Sequence, residues 1–188
     1  MLQKDYVWWK YNELSGFVNS EPKLIWALDK RSGKTYGHWR FNSKTCEIFT
    51  KLSLVFYQDK RKIVPEFIDQ LLKTPLALAV WFMDDGFNRK DCLGKYLNTQ
   101  SYSIKEQGLL INCLEKNFGL KTKIHWAAGK PRLYLNAFQS RKFVNLIKEH
   151  IILSMRYKIS DPVTTGISGL RARKEDGSAT AIHNTPIP

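Results

Sequence analysis

One order of elements occurs twice in this 188-residue chain, and the repetition restricts the fold more than any other feature. Apolar residues at helical spacing predict a first helix over residues 4–15. Strict alternation of apolar and polar residues over 23–29 and 34–42 predicts a hairpin. Apolar residues at helical spacing over 48–56 then predict a second helix. The basic segment 60–62 then completes a series of helix, hairpin, helix and basic segment.

The same order returns after residue 100. Ser103 and Glu106 form a capping box, in which both side chains bond to otherwise unpaired backbone amides. The predicted helix ends at Gly119, a residue type that suits a helix terminus. Alternation over 121–136 predicts a second hairpin, and a helix over 138–150 precedes another basic segment.

A third helix without a counterpart is predicted between the two copies. Thr74 suits the N-cap and Pro75 the first helical position, where a missing amide costs nothing. Residues 76–83 are apolar all round, which predicts burial on every side, with a similar helix as the expected neighbour. Asp84, Asp85 and Gly86 end this helix, and a strand pair is expected near 87–91 and 96–102.

Composition excludes several classes of protein. With 43% hydrophobic and 25% charged residues, the chain is neither a disordered polymer nor a small disulfide scaffold. The three cysteines form no C-x-x-C pair and lie at no metal-ligand spacing to a histidine, which favours a reducing compartment. We expect no signal peptide, and the longest apolar run is far shorter than the roughly 20 residues of a membrane span.

The charge of the chain points to a polyanionic partner. Thirty Lys and Arg against 17 Asp and Glu leave a net charge of +13, which favours nucleic acid first and an anionic membrane surface second. Residues 160–188 contain three basic and three acidic residues and no sustained apolar period. We therefore expect a disordered tail and place the whole net charge in the first 160 residues.

Each predicted hairpin has one basic and aromatic face and one apolar face, because strand side chains alternate. The apolar faces contain Leu24, Trp26, Leu28 and Trp39 in the first hairpin, and Ile124, Trp126, Leu133 and Leu135 in the second. The candidate nucleic-acid contacts are the polar residues of both hairpins and their turns: Lys23, Lys30, Arg31, Lys34, Tyr36, His38 and Arg40, then Lys121, Lys123, His125, Lys130, Arg132 and Tyr134. An ordinary solvated sheet face is the alternative interpretation.

The acidic end of the central helix is a candidate metal site. Asp84 and Asp85 would emerge beside a buried interface, where oxygen ligands suit Mg²⁺ and the ion can also bind a substrate phosphate. The alternative is structural, since Asp-Asp-Gly is also a common entry to a turn.

Four stretches of the chain together resemble one known family. Residues 78–86, LAVWFMDDG, resemble the LAGLIDADG motif, and residues 97–101, LNTQS, followed by Glu106 resemble the downstream stretch of LAGLIDADG homing endonucleases. The segments 62–65 and 154–159 are similar to that family in order and spacing. The resemblance covers about residues 3–159 and is strongest to the intron-encoded subgroup with two motifs in one chain.

The resemblance implies a fold and a division of the chain. The expected class is α+β, built from an αββαββα repeat with a saddle-shaped antiparallel sheet in which two motif helices pack together. Residues 1–65 would form a partial first repeat and residues 66–159 a complete second repeat, followed by the tail at 160–188. The first motif helix and its strand pair would precede Lys4. Three explanations are open for a first repeat that lacks these elements. An upstream segment supplies them, two chains pair through the motif helix, or the product is a degenerate remnant.

The resemblance also implies roles for individual residues. Asp85 would bind the metal, with Asp84 as a second acid, and Lys62 and Lys158 would lie near the scissile phosphates as catalytic residues. Asn98 and Gln100 would join the polar hairpin residues in contacting DNA.

Three functions remain open under this resemblance. The first is a site-specific DNA endonuclease that hydrolyses phosphodiester bonds with Mg²⁺ in intron homing. The others are an RNA-binding intron maturase and a DNA-binding pseudoenzyme that lacks one catalytic acid. The implied partners are double-stranded DNA and, for the maturase, intron RNA, with no membrane. The implied compartment is the mitochondrion, with the chloroplast as the alternative.

Overall fold

The computed structural model describes residues 3–127 and 129–160, and it has the predicted α+β composition. The predicted tail beyond residue 160 lies outside the described residues. The α-helices are α1 Lys4–Glu13, α2 Glu47–Phe56, α3 Ile68–Leu71, α4 Pro75–Asp85, α5 Ile104–Phe118 and α6 Ala137–Ile147. The strands are β1 Lys23–Asp29, β2 Lys34–Arg40, β3 Tyr57–Gln58, β4 Arg61–Lys62, β5 Gly86–Asn88, β6 Lys95–Leu97, β7 Lys123–Ala127 and β8 Lys130–Leu135.

Helix α4 and the elements after it form one complete αββαββα unit. Its four strands make an antiparallel sheet in the order β5-β6-β8-β7. Leu97, Leu133 and Leu135 point from one face of this sheet into the core and are fully buried. Phe82 of α4 meets Phe143 of α6 edge to face at 4.9 Å between ring centroids. This packing fixes the position of α4 and therefore of its acidic end.

The predicted capping box at the start of α5 is confirmed. Ser103 Oγ accepts a hydrogen bond from the Glu106 amide, and the Glu106 carboxylate accepts one from the Ser103 amide. Gly119 ends the helix with φ of 63°, a left-handed conformation that glycine adopts without strain. The predicted boundaries of this helix therefore agree with the structure.

Helix α4 begins as predicted but is not buried on every side. Thr74 Oγ1 accepts a hydrogen bond from the Ala77 amide, with Pro75 next to the cap. One face of the helix is buried, but Leu76 is 39% exposed, so the predicted burial on every side is wrong. Helix α1 contacts α4 through a hydrogen bond from Tyr6 Oη to the Val80 carbonyl. No helix of the described residues is long and apolar enough to span a membrane.

The first hairpin forms as predicted, but its apolar face is covered only in part: Leu24 and Trp39 are partly buried, and Lys4 of α1 lies over the Trp39 ring. Strands β1 and β2 pair with each other in a sheet of two strands. Trp26 is 65% and Leu28 62% exposed on this face. In the second hairpin Leu133 and Leu135 of β8 are buried in the core, whereas Trp126 of β7 is 61% exposed. The two hairpins therefore share a pattern but differ in their surroundings.

The predicted basic loop after α2 is a tight hairpin instead. Strands β3 and β4 are joined by Asp59 and Lys60, whose φ angles are 48° and 63°. Two consecutive positive φ angles match the sharp turns that join twisted antiparallel strands. The turn places Arg61 and Lys62 in a strand, one residue before Ile63, whose amide bonds to the Phe56 carbonyl at 2.8 Å.

Gly86→Ala is expected to destabilise the protein because the backbone of Gly86 passes close to Phe82. An added Cβ would lie 2.0 Å from Phe82 Cδ2, and the Phe82 ring is fully buried against Phe143. Forcing atoms into a packed core costs about 1–3 kcal/mol, which urea denaturation would measure as a lower free energy of unfolding. Gly108→Ala is the control, because its Cβ meets no atom within 4 Å and alanine favours a helix interior. Equal changes in both variants would contradict the packing argument.

Candidate functional site

The acidic end of α4 contains one engaged and one open carboxylate. Asp84 Oδ1 lies 2.6 Å from Lys10 Nζ of α1 and forms an ion pair with it. The exposed Asp85 carboxylate accepts no hydrogen bond and forms no ion pair within 3–127 and 129–160. The Asp85 carbonyl accepts a hydrogen bond from the Asn98 amide at 3.0 Å, which ties the helix end to the sheet. Asp85 is therefore the acid that is free to bind a ligand.

Lys158 lies at this same helix end. Its Nζ donates a hydrogen bond to the Met83 carbonyl at 2.6 Å, and the side chain is partly buried. Burial lowers the pKa of the Lys158 ammonium, although the negative charges of Asp84 and Asp85 act in the opposite direction. A positive charge is thus held beside both acids, although 73 positions separate residues 85 and 158 along the chain.

Lys62 and Asp85 line one cavity of about 280 Å³. The remaining walls are mostly apolar and come from α2, α3, α4 and α5 and the segment after β4: Phe56, Ile63, Val64, Ile68, Leu71, Leu72, Ala77, Trp81, Tyr102 and Leu110. Lys62, which precedes Asp85 in the sequence, thus shares a cavity with it, while Lys158, which follows it, lies at the helix end. Their roles in catalysis remain predictions.

Two residues of α1 belong to this site and were missed by sequence reasoning. Lys10 pairs with Asp84, and its Nζ also lies 4.2 Å from the centre of the Tyr6 ring. Burial raises the pKa of the Tyr6 phenol, and the negative charges of Asp84 and Asp85 add to the rise. In the sequence, Lys10 is only a polar residue between apolar positions, so no local signal identifies its contact.

The open carboxylate of Asp85 fits a hard divalent cation. Asn98 Oδ1 and Gln100 Oε1 are buried and accept no hydrogen bond from a described residue. Mg²⁺ binds one or two carboxylates and completes its shell with waters and phosphate oxygens. The described residues contain no group of three or more His, Cys, Asp or Glu that could hold a metal. This chain thus offers one open carboxylate, with Asn98 bonded to its backbone, which is a partial site.

The second hairpin presents the predicted basic and aromatic face. Lys123 pairs with Tyr134 and His125 with Arg132 across the strands, which confirms that these four residues share one face. Tyr96 of β6 joins them, with its hydroxyl 2.7 Å from His125 Nδ1. Sequence reasoning missed Tyr96 and two further members of this aromatic and basic face, Phe87 and Arg89.

Arg132 and Arg89 are held in different ways on this face. The Arg132 guanidinium lies 5.6 Å from the Phe87 ring centre, and its buried Nε makes no hydrogen bond with a described residue. The Arg89 guanidinium instead binds both oxygens of Asp91 and donates to the Tyr96 hydroxyl. Arg132 is therefore the arginine that remains available to a ligand.

Some predicted contacts lie elsewhere. Lys121 precedes β7, and its Nζ lies 3.9 Å from Glu115 Oε1, so its assignment to the strand face is wrong. Lys130 begins β8 and is exposed, and Lys30 and Arg31 lie in the turn of the first hairpin. On that hairpin the predicted residues share one face and are exposed: Lys23, Lys34, Tyr36, His38 and Arg40.

Comparisons with known proteins agree with this geometry. Residues 1–143 match the model of the LAGLIDADG DNA endonuclease family. A cytochrome b mRNA maturase bI2 from Debaryomyces hansenii is 29% identical over 148 residues, which are 78% of this chain and 55% of the relative. A probable intron-encoded endonuclease 1 from Wickerhamomyces canadensis is 31% identical over 144 residues, which are 73% of this chain and 62% of the relative.

A solved structure is also similar. The homing endonuclease I-WcaI, bound to its DNA recognition sequence, superposes with a TM-score of 0.77 at 29% identity, covering 84% of this chain and 71% of that one. This similarity confirms the predicted LAGLIDADG homing endonuclease-like fold. The chain spans just over half of the length of the two relatives above, 55% and 62%.

Proposed function

Because the chain belongs to the LAGLIDADG DNA endonuclease family, we propose that it provides the DNA-binding and catalytic parts of a site-specific DNA endonuclease. One observation carries this proposal: the open carboxylate of Asp85 lines a cavity with Lys62, and Lys158 is held at the end of the same helix by the Met83 carbonyl. The relative from Wickerhamomyces canadensis is named as an intron-encoded endonuclease, and the similar solved structure is bound to DNA. The reaction would be Mg²⁺-dependent hydrolysis of a phosphodiester bond during intron homing.

Each residue of the site has a distinct part in this reaction. Asp85 would hold Mg²⁺, with Asp84 as a predicted further acid, and Asn98 and Gln100 would contact DNA. The bound ion would supply Lewis-acid polarisation of the phosphate and a more acidic water. The Lys158 ammonium, fixed by the Met83 carbonyl, would offset negative charge that develops on the phosphate. Lys62 would do the same from the cavity beside Asp85.

The direct test is cleavage of DNA by the purified chain. DNA that joins the two exons without the intron should be bound specifically and nicked at one position when Mg²⁺ is present. Specific binding without any metal-dependent nick would overturn the endonuclease and leave the DNA-binding pseudoenzyme. No specific binding would overturn both.

Arg132→Ala is expected to weaken DNA binding about 10-fold, because a guanidinium that contacts a base edge or phosphate contributes on the order of 1–3 kcal/mol. If the contact is to phosphate, the slope of log affinity against log salt should also fall by about 0.9. Fluorescence anisotropy at several salt concentrations would measure both. Lys116→Ala is the control, because Lys116 pairs with Asp69 on the helical side and should alter affinity less than about twofold. Equal losses would mean that the sheet face does not bind DNA.

We propose that residues 1–65 are a partial first repeat, completed by a helix and strand pair that cover the first hairpin. The exposed Trp26 and Leu28 support this, since large apolar side chains gain free energy when covered. In the second repeat the corresponding hairpin has a neighbouring strand, β6, and its Leu133 and Leu135 are buried, although Trp126 is exposed. The covering segment would belong to a longer protein or to a second chain.

Trp26→Lys is expected to weaken self-association about 10-fold to 100-fold, since a buried tryptophan contributes on the order of 1.5–3 kcal/mol. Sedimentation equilibrium of the isolated chain would measure the dissociation constant. Trp126→Lys is the matched control, because this tryptophan is 61% exposed on the second hairpin. It should change the dissociation constant of self-association little. A wild-type chain that stays monomeric would contradict pairing of two chains and leave the segment of a longer protein.

A second candidate function is that of an intron maturase, encoded in an organelle. The relatives from Debaryomyces hansenii and Saccharomyces cerevisiae are both named cytochrome b mRNA maturase bI2, which also favours a mitochondrial intron as the origin of this chain. A maturase would use the basic and aromatic sheet face for RNA and would not need the open acid. Equal stimulation of splicing by the wild type and by Asp85→Asn would support it, and failure to bind intron RNA would dismiss it.

A further inference from the structure

The Glu106 carboxylate makes more contacts than a helix cap requires. It accepts hydrogen bonds from the Ser103 amide at 2.7 Å and the Ser103 hydroxyl at 2.6 Å, which complete the capping box. It also accepts one from the Val64 amide at 3.2 Å and pairs with Arg61 Nη2 at 2.9 Å. The side chain is only 9% exposed, so these partners replace its hydration.

These additional contacts hold the residues on both sides of Lys62. Arg61 immediately precedes Lys62, and Val64 follows it by two positions. The intervening Ile63 is fixed by its own hydrogen bond to the Phe56 carbonyl. Glu106 therefore joins the start of α5 to the strand whose lysine faces the same cavity as Asp85.

Charge on Glu106 is needed for this link. Burial raises the pKa of its carboxyl, but hydrogen bonds from Ser103 and Val64 and the charge of Arg61 outweigh it, so the pKa is lowered. The ionised form has two acceptor oxygens. Oε1 accepts hydrogen bonds from Val64 and Arg61, and Oε2 accepts them from Ser103 and Arg61. A glutamine keeps one oxygen and replaces the other by a donor, which would face Arg61 or Val64 unfavourably.

We propose that Glu106 is a positioning residue, which sets Lys62 beside Asp85 through Arg61 and the Val64 amide. This inference rests on the proposed function, because it assigns Lys62 a part in cleavage. Glu106 does not line the cavity that Lys62 and Asp85 share, so it would act through Arg61 and Val64. It is the element of the α5 cap that aligns the catalytic lysine.

Glu106→Gln is therefore expected to lower the cleavage rate at saturating DNA on the order of 10-fold, with the DNA dissociation constant nearly unchanged. Ser103→Ala is the matched control, because it removes a cap contact of the same carboxylate but leaves Arg61 and Val64 bound. It should lower the melting temperature without lowering the rate. In a double-mutant cycle, Lys62→Met should lower the cleavage rate by a much smaller factor in the Glu106→Gln background than in the wild type.

A second measurement does not depend on activity. The rate of acetylation of Lys62, followed by mass spectrometry in the free protein, should change in Glu106→Gln and stay at the wild-type value in Ser103→Ala. If the wild type does not cleave DNA, the proposed function fails and this measurement alone decides the inference. Equal acetylation rates in both variants, or additive effects of the Glu106 and Lys62 substitutions on cleavage, would overturn it.

Discussion

Asp85→Asn should lower the rate of Mg²⁺-dependent DNA cleavage on the order of 1,000-fold, because it removes the open carboxylate of the site. A metal ion that binds the phosphate and a water stabilises the transition state by several kcal/mol, and each 1.4 kcal/mol changes the rate by a factor of ten. The substitution preserves shape and the backbone bond between Asp85 and Asn98. Single-turnover cleavage with saturating protein would measure the rate separately from binding.

Asp84→Asn is the control for this experiment. The Asp84 carboxylate already forms an ion pair with Lys10, so its loss should lower cleavage by about tenfold or less. DNA affinity measured without metal should stay within about twofold of the wild type in both variants, since neither acid contacts phosphate directly in the absence of the ion. Unchanged cleavage in Asp85→Asn would remove that residue from the mechanism.

Lys158→Met should lower the cleavage rate on the order of 100-fold, since it removes a fixed positive charge from the helix end. The pH dependence of the cleavage rate tests whether this positive charge is responsible. Burial lowers the pKa of Lys158, so its ammonium loses the proton at a lower pH than an ordinary lysine. The wild-type rate should therefore fall as the pH rises through that range, and the lost charge should account for the fall.

The methionine variant should lack this alkaline fall because it carries no proton to lose. Lys148→Met, at an exposed lysine of the turn after α6, is the control and should keep both the rate and the wild-type pH profile. Rates would be measured across the alkaline range with the DNA duplex intact. An alkaline fall that persists in Lys158→Met would assign it to another group.

Local sequence signals were sufficient where the interactions are local. The capping box of Ser103 and Glu106 and the cap at Thr74 involve neighbours three residues apart, so the sequence predicted both helix starts. The paired faces of β7 and β8 follow from strict alternation, which fixes the side of every residue once the register is known. Asn136, the last residue of the predicted alternation, shows the limit, because it caps α6 instead of continuing the strand.

Contacts between distant segments were beyond these signals. The ion pair of Lys10 with Asp84 and the bond from Lys158 to Met83 each join residues about 75 positions apart. The proximity of Asp85, Lys62 and Lys158 followed from a family resemblance, since their spacing alone contains no such information. The burial of α4 was overestimated because an apolar composition does not specify which elements are there to cover it.

The lone ribbon of β1 and β2 has a consequence for the energetics of the whole molecule. Two paired strands are marginal in water by themselves, whereas a sheet of four strands under helices opens only when the domain unfolds. Backbone amides of the ribbon should exchange with deuterium orders of magnitude faster than those of β6 and β8. The ribbon would thus gain rigidity from what it binds, and part of the affinity for that ligand would be spent on ordering it.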